Sequence, residues 1–306
     1  MNRRHFVKNI SSGALLLGTG GFPLEALVGK PEIVKLTLLH TNDVHSRIDP
    51  FPMDGSSNQG LGGAAKRATL IKKIRAQERN ILLLDAGDIF QGTPYFNFYE
   101  GELEMKLMSQ MGYDAATIGN HDFDKGIEGL EKQLVHAQFP LINANYDFSN
   151  TVMKGRVQPY KIFKKEGIKI GVLGVGIELK GLVPQSLSKE TVYNDPLSIA
   201  NKTAEFLKKE MKCDYVICLS HLGYKYKETK MDDVKMAQNS RHIDLIIGGH
   251  THTFMDKPDI LKNLDGQPVL INQVGWAGIM LGRIDVFFER TKGEKCESCQ
   301  NIYVGA

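Results

Sequence analysis

No apolar stretch of this sequence reaches the roughly 18 residues that a membrane-spanning helix needs. Nor is there a concentrated basic stripe of the kind that binds nucleic acid, because 38 Lys and Arg residues are scattered among 35 Asp and Glu residues. Internal repeats and low-complexity linkers are also missing. With 42% hydrophobic and 24% charged residues, the composition is that of an ordinary globular protein. We therefore expect neither a membrane-spanning protein nor a nucleic-acid-binding one.

Cysteine is scarce, with four in 306 residues. Cys218 lies in an apolar strand-like run and is predicted to pack in the core, whereas nearby Cys213 has no evident role. Cys296 and Cys299 either form a small local disulfide in an oxidising compartment or are an incidental pair. A structural zinc site is not expected there, because two further ligands are missing.

Residues 1–30 differ in character from the rest of the chain. Basic residues including Arg3 and Arg4 come first, a short apolar run follows, and glycine- and proline-containing sequence comes next. This order is the layout of a secretory signal. The arginine pair with its x-Phe-Val-Lys continuation resembles the twin-arginine export signal of bacteria. We therefore expect an exported, periplasmic protein, with a basic first helix of the fold as the alternative.

Short strand-like runs alternate with amphipathic stretches along the remaining chain. Apolar residues recur with helical spacing over 103–111, 127–137 and 197–211, which predicts helices with one buried face. Such alternation is typical of an α/β sandwich, and the strands that follow one another without helices after Pro268 predict mixed sheets. The predicted strands are Ile33–Leu39, Ile81–Leu84, Ala115–Ile118, Pro140–Asn143, Ile168–Val175, Tyr215–Leu219, Leu245–Ile247, Val269–Ile271 and Leu281–Phe288. A single domain over residues 31–306 is expected.

Side chains that can bind metal come directly after five of these predicted strands. They stand in His40-Thr41-Asn42-Asp43-Val44-His45, Asp85-Ala86-Gly87-Asp88, Gly119-Asn120-His121-Asp122, Ser220-His221 and Gly248-Gly249-His250-Thr251-His252. Each segment alone is a weak signal, because an Asp after Gly is usually a turn residue or a helix cap. In open α/β sheets, however, ligands bind outside the carboxyl ends of the strands. The five segments are therefore expected to converge on one crevice.

Together these segments resemble the five sequence blocks of the calcineurin-like metallophosphoesterases. Leu39-His40-Thr41-Asn42-Asp43 and Gly119-Asn120-His121-Asp122-Phe123-Asp124 are similar, more closely, to the catalytic domain of periplasmic 5′-nucleotidases. The resemblance covers nearly all of residues 33–290. It implies a four-layer α/β/β/α sandwich with two mixed β-sheets back to back. It also implies a phosphoester hydrolase of the 5′-nucleotidase type.

The resemblance further implies a site with two divalent metal ions. One ion would be held by Asp43, His45, Asp88 and His252, and the other by Asp88, Asn120, His221 and His250, so that Asp88 bridges them. Nitrogen and oxygen ligands without thiolate suit zinc, manganese, iron or cobalt and discriminate poorly among them. Two ions about 3.5–4 Å apart can acidify a bound water, and the resulting hydroxide would attack phosphorus in line.

His121 has a different role in the resemblance, because it faces the substrate and is not a ligand. It would stabilise charge on the phosphoryl group or protonate the leaving oxygen. Asp124 matches the residue that orients this imidazole, with a cap for the helix near Gly126 as its alternative role. Asp122 stands where many relatives have Glu, which puts fine specificity in doubt but not the chemistry.

A nucleobase-stacking second domain, which periplasmic 5′-nucleotidases carry, is not expected in this chain. Either a separate polypeptide supplies that part, or the enzyme accepts phosphoesters with less discrimination. The ring-rich segment Gln91–Tyr99 either borders the substrate pocket or packs in the core. Nucleoside monophosphates are the first expected substrates. The alternatives are a 2′,3′-cyclic phosphodiester, the sulfate-group hydrolysis of sulfur oxidation, and a non-catalytic subunit that binds metal or a partner.

Overall fold

The computed structural model describes residues 33–289 and 294–305 of the chain. The predicted export signal, residues 1–30, lies outside the described residues. Among the helices that the structure describes, none combines the length and the apolar character that crossing a membrane requires.

Strands and helices alternate through the described residues. The strands are β1 (Ile33–Thr41), β2 (Ile81–Asp85), β3 (Ala115–Ala116), β4 (Tyr146–Asp147), β5 (Tyr160–Lys165), β6 (Ile168–Gly176), β7 (Val192–Tyr193), β8 (Tyr215–His221), β9 (Leu245–Gly248), β10 (Asp259–Lys262), β11 (Pro268–Asn272), β12 (Met280–Glu289) and β13 (Glu294–Tyr303). The α-helices are α1 (Ala64–Gln77), α2 (Pro94–Tyr99), α3 (Glu102–Met111), α4 (Gly126–Gln133), α5 (Gln185–Ser188), α6 (Pro196–Lys209) and α7 (Asp233–Asn239). Short 3₁₀ turns cover His121–Phe123 and Leu134–His136.

Local sequence signals explain where several helices begin and end. The carboxylate of Asp195 accepts a hydrogen bond from the backbone N–H of Ser198 and so caps α6 at its start. Asp232 caps α7 in the same way through the backbone N–H of Lys235. Helix α3 ends at Met111, and the next residue, Gly112, has a φ of 75°, a left-handed conformation that glycine adopts readily.

The strands form two large sheets and one small β4–β7 pair. In the first sheet, with order β13-β12-β1-β2-β3, the last three strands are parallel and β12 runs antiparallel to both neighbours. In the second, with order β10-β11-β9-β8-β6-β5, the four central strands are parallel and both edge strands are antiparallel. Both sheets are therefore mixed, as predicted.

The two sheets pack face to face, and helices cover their outer faces. Leu36 and Leu38 of β1 meet Ile217 and Leu219 of β8 in the core between the sheets. The outer face of the first sheet packs against α1, α3 and α4, and that of the second packs against α6 and α7. The predicted four-layer α/β/β/α sandwich is confirmed. Burial of both faces explains why the central strands are nearly continuously apolar.

Two predicted elements differ in detail. Pro140–Asn143, predicted as a strand, makes only isolated bridges, because its neighbour β3 offers just two paired residues. In α3 the most deeply buried side chains include Met105 and Met108, whereas Leu103 and Leu107 of the predicted stripe are only half-buried. A spacing of four residues drifts around a helix of 3.6 residues per turn, so the buried face is shifted from the prediction.

The structure describes the side chains of Cys213, Cys218 and Cys299. Cys218 is buried in β8, which confirms its predicted core position, and Cys213 is buried as well. Cys299 is a free, half-buried thiol in β13. The local disulfide between Cys296 and Cys299 is therefore not formed, and the alternative of an incidental pair holds.

A buried polar contact links the two sheets. The fully buried His40 of β1 accepts a hydrogen bond at Nε2 from the side-chain amide of Asn272 in β11, at 2.8 Å. Burial lowers the pKa of His40 to about 3, so the ring is neutral and can accept. Gly282 of β12 lies opposite His40. A Cβ atom at Gly282 would lie 2.1 Å from Nε2 of His40, so only glycine leaves room for this imidazole.

We expect Gly282→Ala to lower the free energy of unfolding by about 1–3 kcal/mol, because the added methyl group pushes the His40 imidazole away from Asn272. The same substitution should cost clearly less in a His40→Ala background, where the ring is gone. Urea unfolding of the native protein, the two single variants and the double variant at pH 7 measures the coupling. Equal costs in both backgrounds would contradict this account.

Candidate metal centre

The predicted metal-binding side chains meet where the parallel strands end. Asp43 and His45 follow β1, Asp88 follows β2, Asn120 follows β3, His221 ends β8, and His250 and His252 follow β9. Backbone contacts hold these segments together across the sequence. The N–H of Asp43 donates to the carbonyl oxygen of Gly87 at 2.9 Å, and the N–H of His250 donates to the Asp43 carboxylate at 2.9 Å. The strand ends therefore form one cluster.

One group in this cluster consists of Asp43, His45 and His252. The Nε2 atoms of the two imidazoles are 3.0 Å apart, and Oδ1 of Asp43 lies 3.3 Å from Nε2 of His252. Separations of roughly 3–4 Å suit ligands that share one ion at bond lengths of about 2.0–2.2 Å. Oδ2 of Asp88 is 3.8 Å from Nε2 of His45, so Asp88 borders this group.

The second group consists of Asp88, His221 and His250, whose ligand atoms lie within 4.8 Å of one another. Oδ2 of Asp88 is 3.1 Å from Nε2 of His221. Asn120 joins this group through Oδ1, which lies 2.8 Å from Nδ1 of His250. The structure thus brings all seven side chains that the sequence indicates into one place, in two adjoining groups.

Hydrogen bonds on the outer ring nitrogens orient two of the imidazoles. Nδ1–H of His221 donates to the carbonyl oxygen of Ala86 at 2.7 Å, and Nδ1–H of His45 donates to that of Phe90 at 3.2 Å. Each bond selects the tautomer whose Nε2 lone pair faces the cluster. Nε2 of His221 is buried and makes no hydrogen bond, although a carboxylate oxygen is 3.1 Å away. A divalent cation would satisfy this nitrogen, so the donors fit a metal.

The electrostatics of the cluster show a demand for positive charge. Burial by itself lowers the pKa of His221, but the carboxylates of Asp88 and Asp43 raise it to about 10. Burial opposes ionisation of Asp88 as well, yet the neighbouring imidazoles hold the pKa of that carboxyl well below its usual range. Burial lowers the pKa of His250 to about 4, which keeps its ring neutral and able to coordinate. Either a proton on His221 or a bound cation can supply the charge.

The backbone is strained at most of the ligand positions. The φ angle is 50° at Asp43, 48° at His45, 55° at Asp88, 75° at His250 and 53° at His252. These values lie in the left-handed region, which non-glycine residues rarely adopt, although Asp and His tolerate it better than most. Such conformations cost of order 1–3 kcal/mol each and cluster at functional sites. The fold therefore holds these side chains in place although their backbone conformations are strained.

His121 and Asp124 lie beside the cluster and outside both groups. Nδ1 of His121 is 2.9 Å from Oδ2 of Asp124, and this hydrogen bond is the main cause that raises the pKa of His121. The backbone N–H of His121 donates to Oδ1 of Asp88 at 2.8 Å. No side chain caps the start of α4, so the alternative role of Asp124 as a cap is wrong. The imidazole is 38% exposed and adjoins the cluster, where a bound molecule can reach it.

The sequence interpretation treats Asp122 only as a departure from the family pattern, whereas in the structure it connects the turns of the site. Its buried carboxylate accepts hydrogen bonds from the backbone N–H groups of Gly119 at 2.8 Å, Asp88 at 3.2 Å, Ile89 at 2.9 Å and Phe90 at 3.2 Å. It therefore ties the turn after β2 to the turn after β3. Burial and the nearby Asp88 charge raise the pKa of Asp122. Its place inside a ligand-bearing segment is the sequence signal that could have indicated this role.

Trp276 is another residue that sequence reasoning does not single out. Its ring stacks on His252, with ring centres 5.8 Å apart and planes inclined by 8°. The neighbouring Ala277 donates its backbone N–H to the carbonyl oxygen of Asp43 at 2.7 Å. The loop before β12 thus supports the first ligand group from outside. A single tryptophan in a loop has no periodic pattern, so only the structure reveals this contact.

We expect Asp122→Asn to weaken divalent-ion binding by about 10–100-fold. An amide presents one oxygen to four N–H donors and directs its own NH₂ group at the rest. Asp122→Glu keeps the charge and should lose less. Titration of chelator-treated protein with Mn²⁺ by isothermal calorimetry measures the affinity, and circular dichroism checks the fold. Native affinity in a folded Asp122→Asn variant would mean that Asp122 does not support the ligands.

Comparisons with known proteins agree with this geometry. The family model for calcineurin-like phosphoesterase matches residues 36–254. The chain is 34% identical over 296 residues to snake venom 5′-nucleotidase of Gloydius brevicauda, covering 87% of this chain and 47% of that protein. It is 33% identical over 286 residues to the trifunctional nucleotide phosphoesterase protein YfkN of Bacillus subtilis (strain 168), covering 83% of this chain and 18% of that protein.

A solved structure, the 5′-nucleotidase precursor from Thermus thermophilus, matches with a TM-score of 0.79 and 31% identity. That match covers 89% of this chain and 55% of the other. The chain spans about half the length of these relatives, or less. The family match takes in most of the chain and every position of the metal cluster. The chain therefore belongs to the calcineurin-like phosphoesterase family.

Proposed function

We propose that this protein hydrolyses phosphoesters with two divalent metal ions, and that nucleoside monophosphates or similar phosphomonoesters are its substrates. The observation that carries the proposal is the pair of adjoining ligand groups at the strand ends. Similarity to 5′-nucleotidases supports the reaction and the substrate class. Members of this family use a dinuclear metal centre, which agrees with two groups in place of one.

In this proposal every ligand except Asp88 binds a single ion. Asp43, His45, Asp88 and His252 hold one ion, and Asp88, Asn120, His221 and His250 hold the other, with Asp88 shared. When bound, a pair of divalent cations supplies Lewis-acid polarisation of the phosphoryl oxygens and an acidified water. The donors are imidazole, carboxylate and amide groups, so zinc, manganese, iron and cobalt all suit them. Metal analysis of the purified protein identifies the ions.

In this proposal His121 donates a proton from Nε2. Because Nδ1–H is held by Asp124, Nε2 is the nitrogen that faces a bound substrate. The same carboxylate favours the charged ring, which donates from Nε2 to the leaving oxygen and offsets negative charge on the phosphoryl group. Asp124 is therefore a positioning residue for His121.

Export and a second polypeptide are further parts of the proposal. The twin-arginine pattern at Arg3 and Arg4 supports export to the periplasm. In this proposal the signal, residues 1–30, precedes a single catalytic domain, residues 31–306. A separate polypeptide that contributes to substrate binding is the second of these parts. Co-purification from the native source tests for such a partner.

A 2′,3′-cyclic nucleotide is the alternative substrate, and one relative is named as having more than one phosphoesterase function. YfkN, a trifunctional nucleotide phosphoesterase by name, is about as similar to this chain as the venom 5′-nucleotidase is. A panel of a nucleoside monophosphate, a 2′,3′-cyclic nucleotide and an aryl phosphate separates the phosphomonoesterase from the cyclic phosphodiesterase. Turnover of none of them by metal-loaded protein would favour hydrolysis of a sulfate group.

Asp88→Asn tests the shared ligand. We expect about two ions per chain in the native protein and fewer in the variant, because a neutral amide oxygen bridges two cations poorly. Phosphate release should fall by on the order of a thousandfold or more, since several kcal/mol of charge stabilisation are lost. Metal analysis and phosphate release are measured on the same samples.

The matched control for this test is Asp265→Asn. Asp265 lies in the turn that leads into the amino end of β11, which is parallel to β9 and so begins at the sheet edge opposite the cluster. Both readouts should stay at native values in the control. Native activity in Asp88→Asn would refute the bridging assignment.

His121→Ala should keep both ions and lose about 10²–10⁴-fold in turnover, because only proton transfer and charge stabilisation are removed. Asp124→Asn should cost less, and it should add little in the His121→Ala background, since Asp124 acts through the imidazole. Metal content and steady-state kinetics of the two single variants and the double variant check this. Loss of metal from His121→Ala would show that His121 is a ligand.

A further inference from the structure

Strand β11 carries no candidate ligand, yet the residue that follows it contacts the loop that carries two. Gln273 comes directly after the last residue of β11, and its side chain is fully buried. β11 is parallel to β9 and pairs with it, so both strands end at the same edge of their sheet. The loop after β9 bears His250 and His252. Gln273 therefore lies beside this loop without being one of the seven candidate ligands.

The side-chain amide of Gln273 uses both of its ends on this loop. Its Nε2 donates to the carbonyl oxygen of Gly249 at 2.8 Å. Its Oε1 accepts from the hydroxyl of Thr251 at 3.2 Å and from the backbone N–H of Thr253. These partners fix the orientation of the amide, because a carbonyl requires a donor and an N–H requires an acceptor. The three contacts fall before, between and after the two ligand residues.

The loop needs support from outside because its backbone is strained at both ligands. The φ angles of His250 and His252 are 75° and 53°, and such conformations persist only where the surrounding structure holds them. Between the two, the hydroxyl of Thr251 also accepts from the backbone N–H of Tyr224, at 2.9 Å, in the segment after β8. Hydrogen bonds from two neighbouring segments therefore oppose relaxation of the loop.

The segment that begins at Gln273 contacts a second ligand-bearing segment as well. The side-chain amide of Asn42 accepts from the backbone N–H of Val274 at 2.9 Å and donates to the carbonyl oxygen of Gly275 at 2.6 Å. The same amide donates to Oδ2 of the ligand Asp43 at 2.7 Å. The end of β11 is thus hydrogen-bonded to the segments that carry ligands after β1 and after β9.

We infer that Gln273 is a positioning residue for the metal centre. Its buried amide fixes the loop after β9, so that the imidazoles of His250 and His252 stay aimed at their ions. Because one of these residues belongs to each ligand group, loss of the amide should affect both ions. The inference rests on the proposed function for the presence of the ions, whereas Gln273 itself touches none of them.

Gln273→Met tests this role, because methionine nearly matches glutamine in length and volume but cannot replace the amide contacts. Titration of chelator-treated full-length protein with Mn²⁺ by isothermal calorimetry should show affinity lower by roughly 10- to 100-fold, the range for residues that orient ligands. Thr251→Val is a milder variant, since it leaves both backbone contacts of Gln273 in place. It should lose less affinity than Gln273→Met and disturb the fold less.

The matched control is Asn263→Ala. Asn263 is likewise a buried amide that supports a loop, because its Oδ1 accepts from the backbone N–H groups of Asp265 at 2.9 Å and Gln267 at 3.0 Å. It precedes β11 and so lies at the sheet edge opposite the cluster. In metal-free protein, both Asn263→Ala and Gln273→Met should unfold at lower urea concentration, because each leaves buried N–H groups unpaired. Only Gln273→Met should lose affinity for Mn²⁺.

Cobalt supplies a readout that a general loss of stability does not change. Co²⁺ suits the nitrogen and oxygen donors of the cluster, and its visible absorption depends on the geometry of its ligands. At saturating Co²⁺, Gln273→Met should show shifted bands or altered intensity relative to the native protein. The spectrum of Asn263→Ala should match the native one.

The outcomes separate this inference from the proposed function. Native Mn²⁺ affinity and a native cobalt spectrum in folded Gln273→Met overturn the inference and leave the proposed function standing. Equal losses of affinity in Gln273→Met and Asn263→Ala also overturn it, because they would show an effect of stability alone. If Gln273→Met does not fold, native affinity in Thr251→Val overturns it. Ion binding that depends on Gln273, without phosphate release from any tested phosphoester, leaves the positioning role standing and refutes the proposed reaction.

Discussion

The burial of two carboxylates, Asp43 and Asp88, is the constraint on which the rest of the site depends. Their exposed fractions are 0% and 1%, and charged groups leave water only when they are paired. Backbone N–H groups of His250 and His121 donate hydrogen bonds to these carboxylates and so provide part of the pairing. The neighbouring imidazoles provide another part of the pairing, and a cation in each group would balance the remaining negative charge. Most other features of the site follow from gathering these groups at one point.

Gathering them requires sharp turns at the strand ends, and those turns need support. Five of the candidate ligand residues have a φ angle in the left-handed region, which bends the chain locally where the strands end. Asp122 supports the turns after β2 and β3 with four hydrogen bonds. Asp85 adds to this support by accepting from the backbone N–H of Gly87 at 2.9 Å and from the hydroxyl of Thr41 at 2.6 Å. The sheets below are rigid because both of their faces are buried.

Two features adjoin the candidate metal cluster without belonging to it. His121, hydrogen-bonded to Asp124, adjoins the cluster with a partly exposed imidazole. A cavity bounded by Arg47 and Thr93 lies where the segments that follow β1 and β2 pack against each other.

The sequence by itself indicated the fold class and the five polar segments at the strand ends, because both depend on local patterns. The set of seven candidate ligands came from the family resemblance. Apolar periodicity indicates strands, and polar residues at strand ends indicate a site at one sheet edge. Patterns of this kind miss the edge strand β13 and overstate Pro140–Asn143, whose pairing depends on a partner elsewhere in the chain. Only the tertiary structure decided which ligands meet. The Nε2 atoms of His45 and His252, 207 positions apart in sequence, come within 3.0 Å because β1 and β9, in different sheets, end on the same side of the sandwich. The hydrogen bonds by which Asp122 supports the turns after β2 and β3 likewise depend on long-range packing, which no local period encodes.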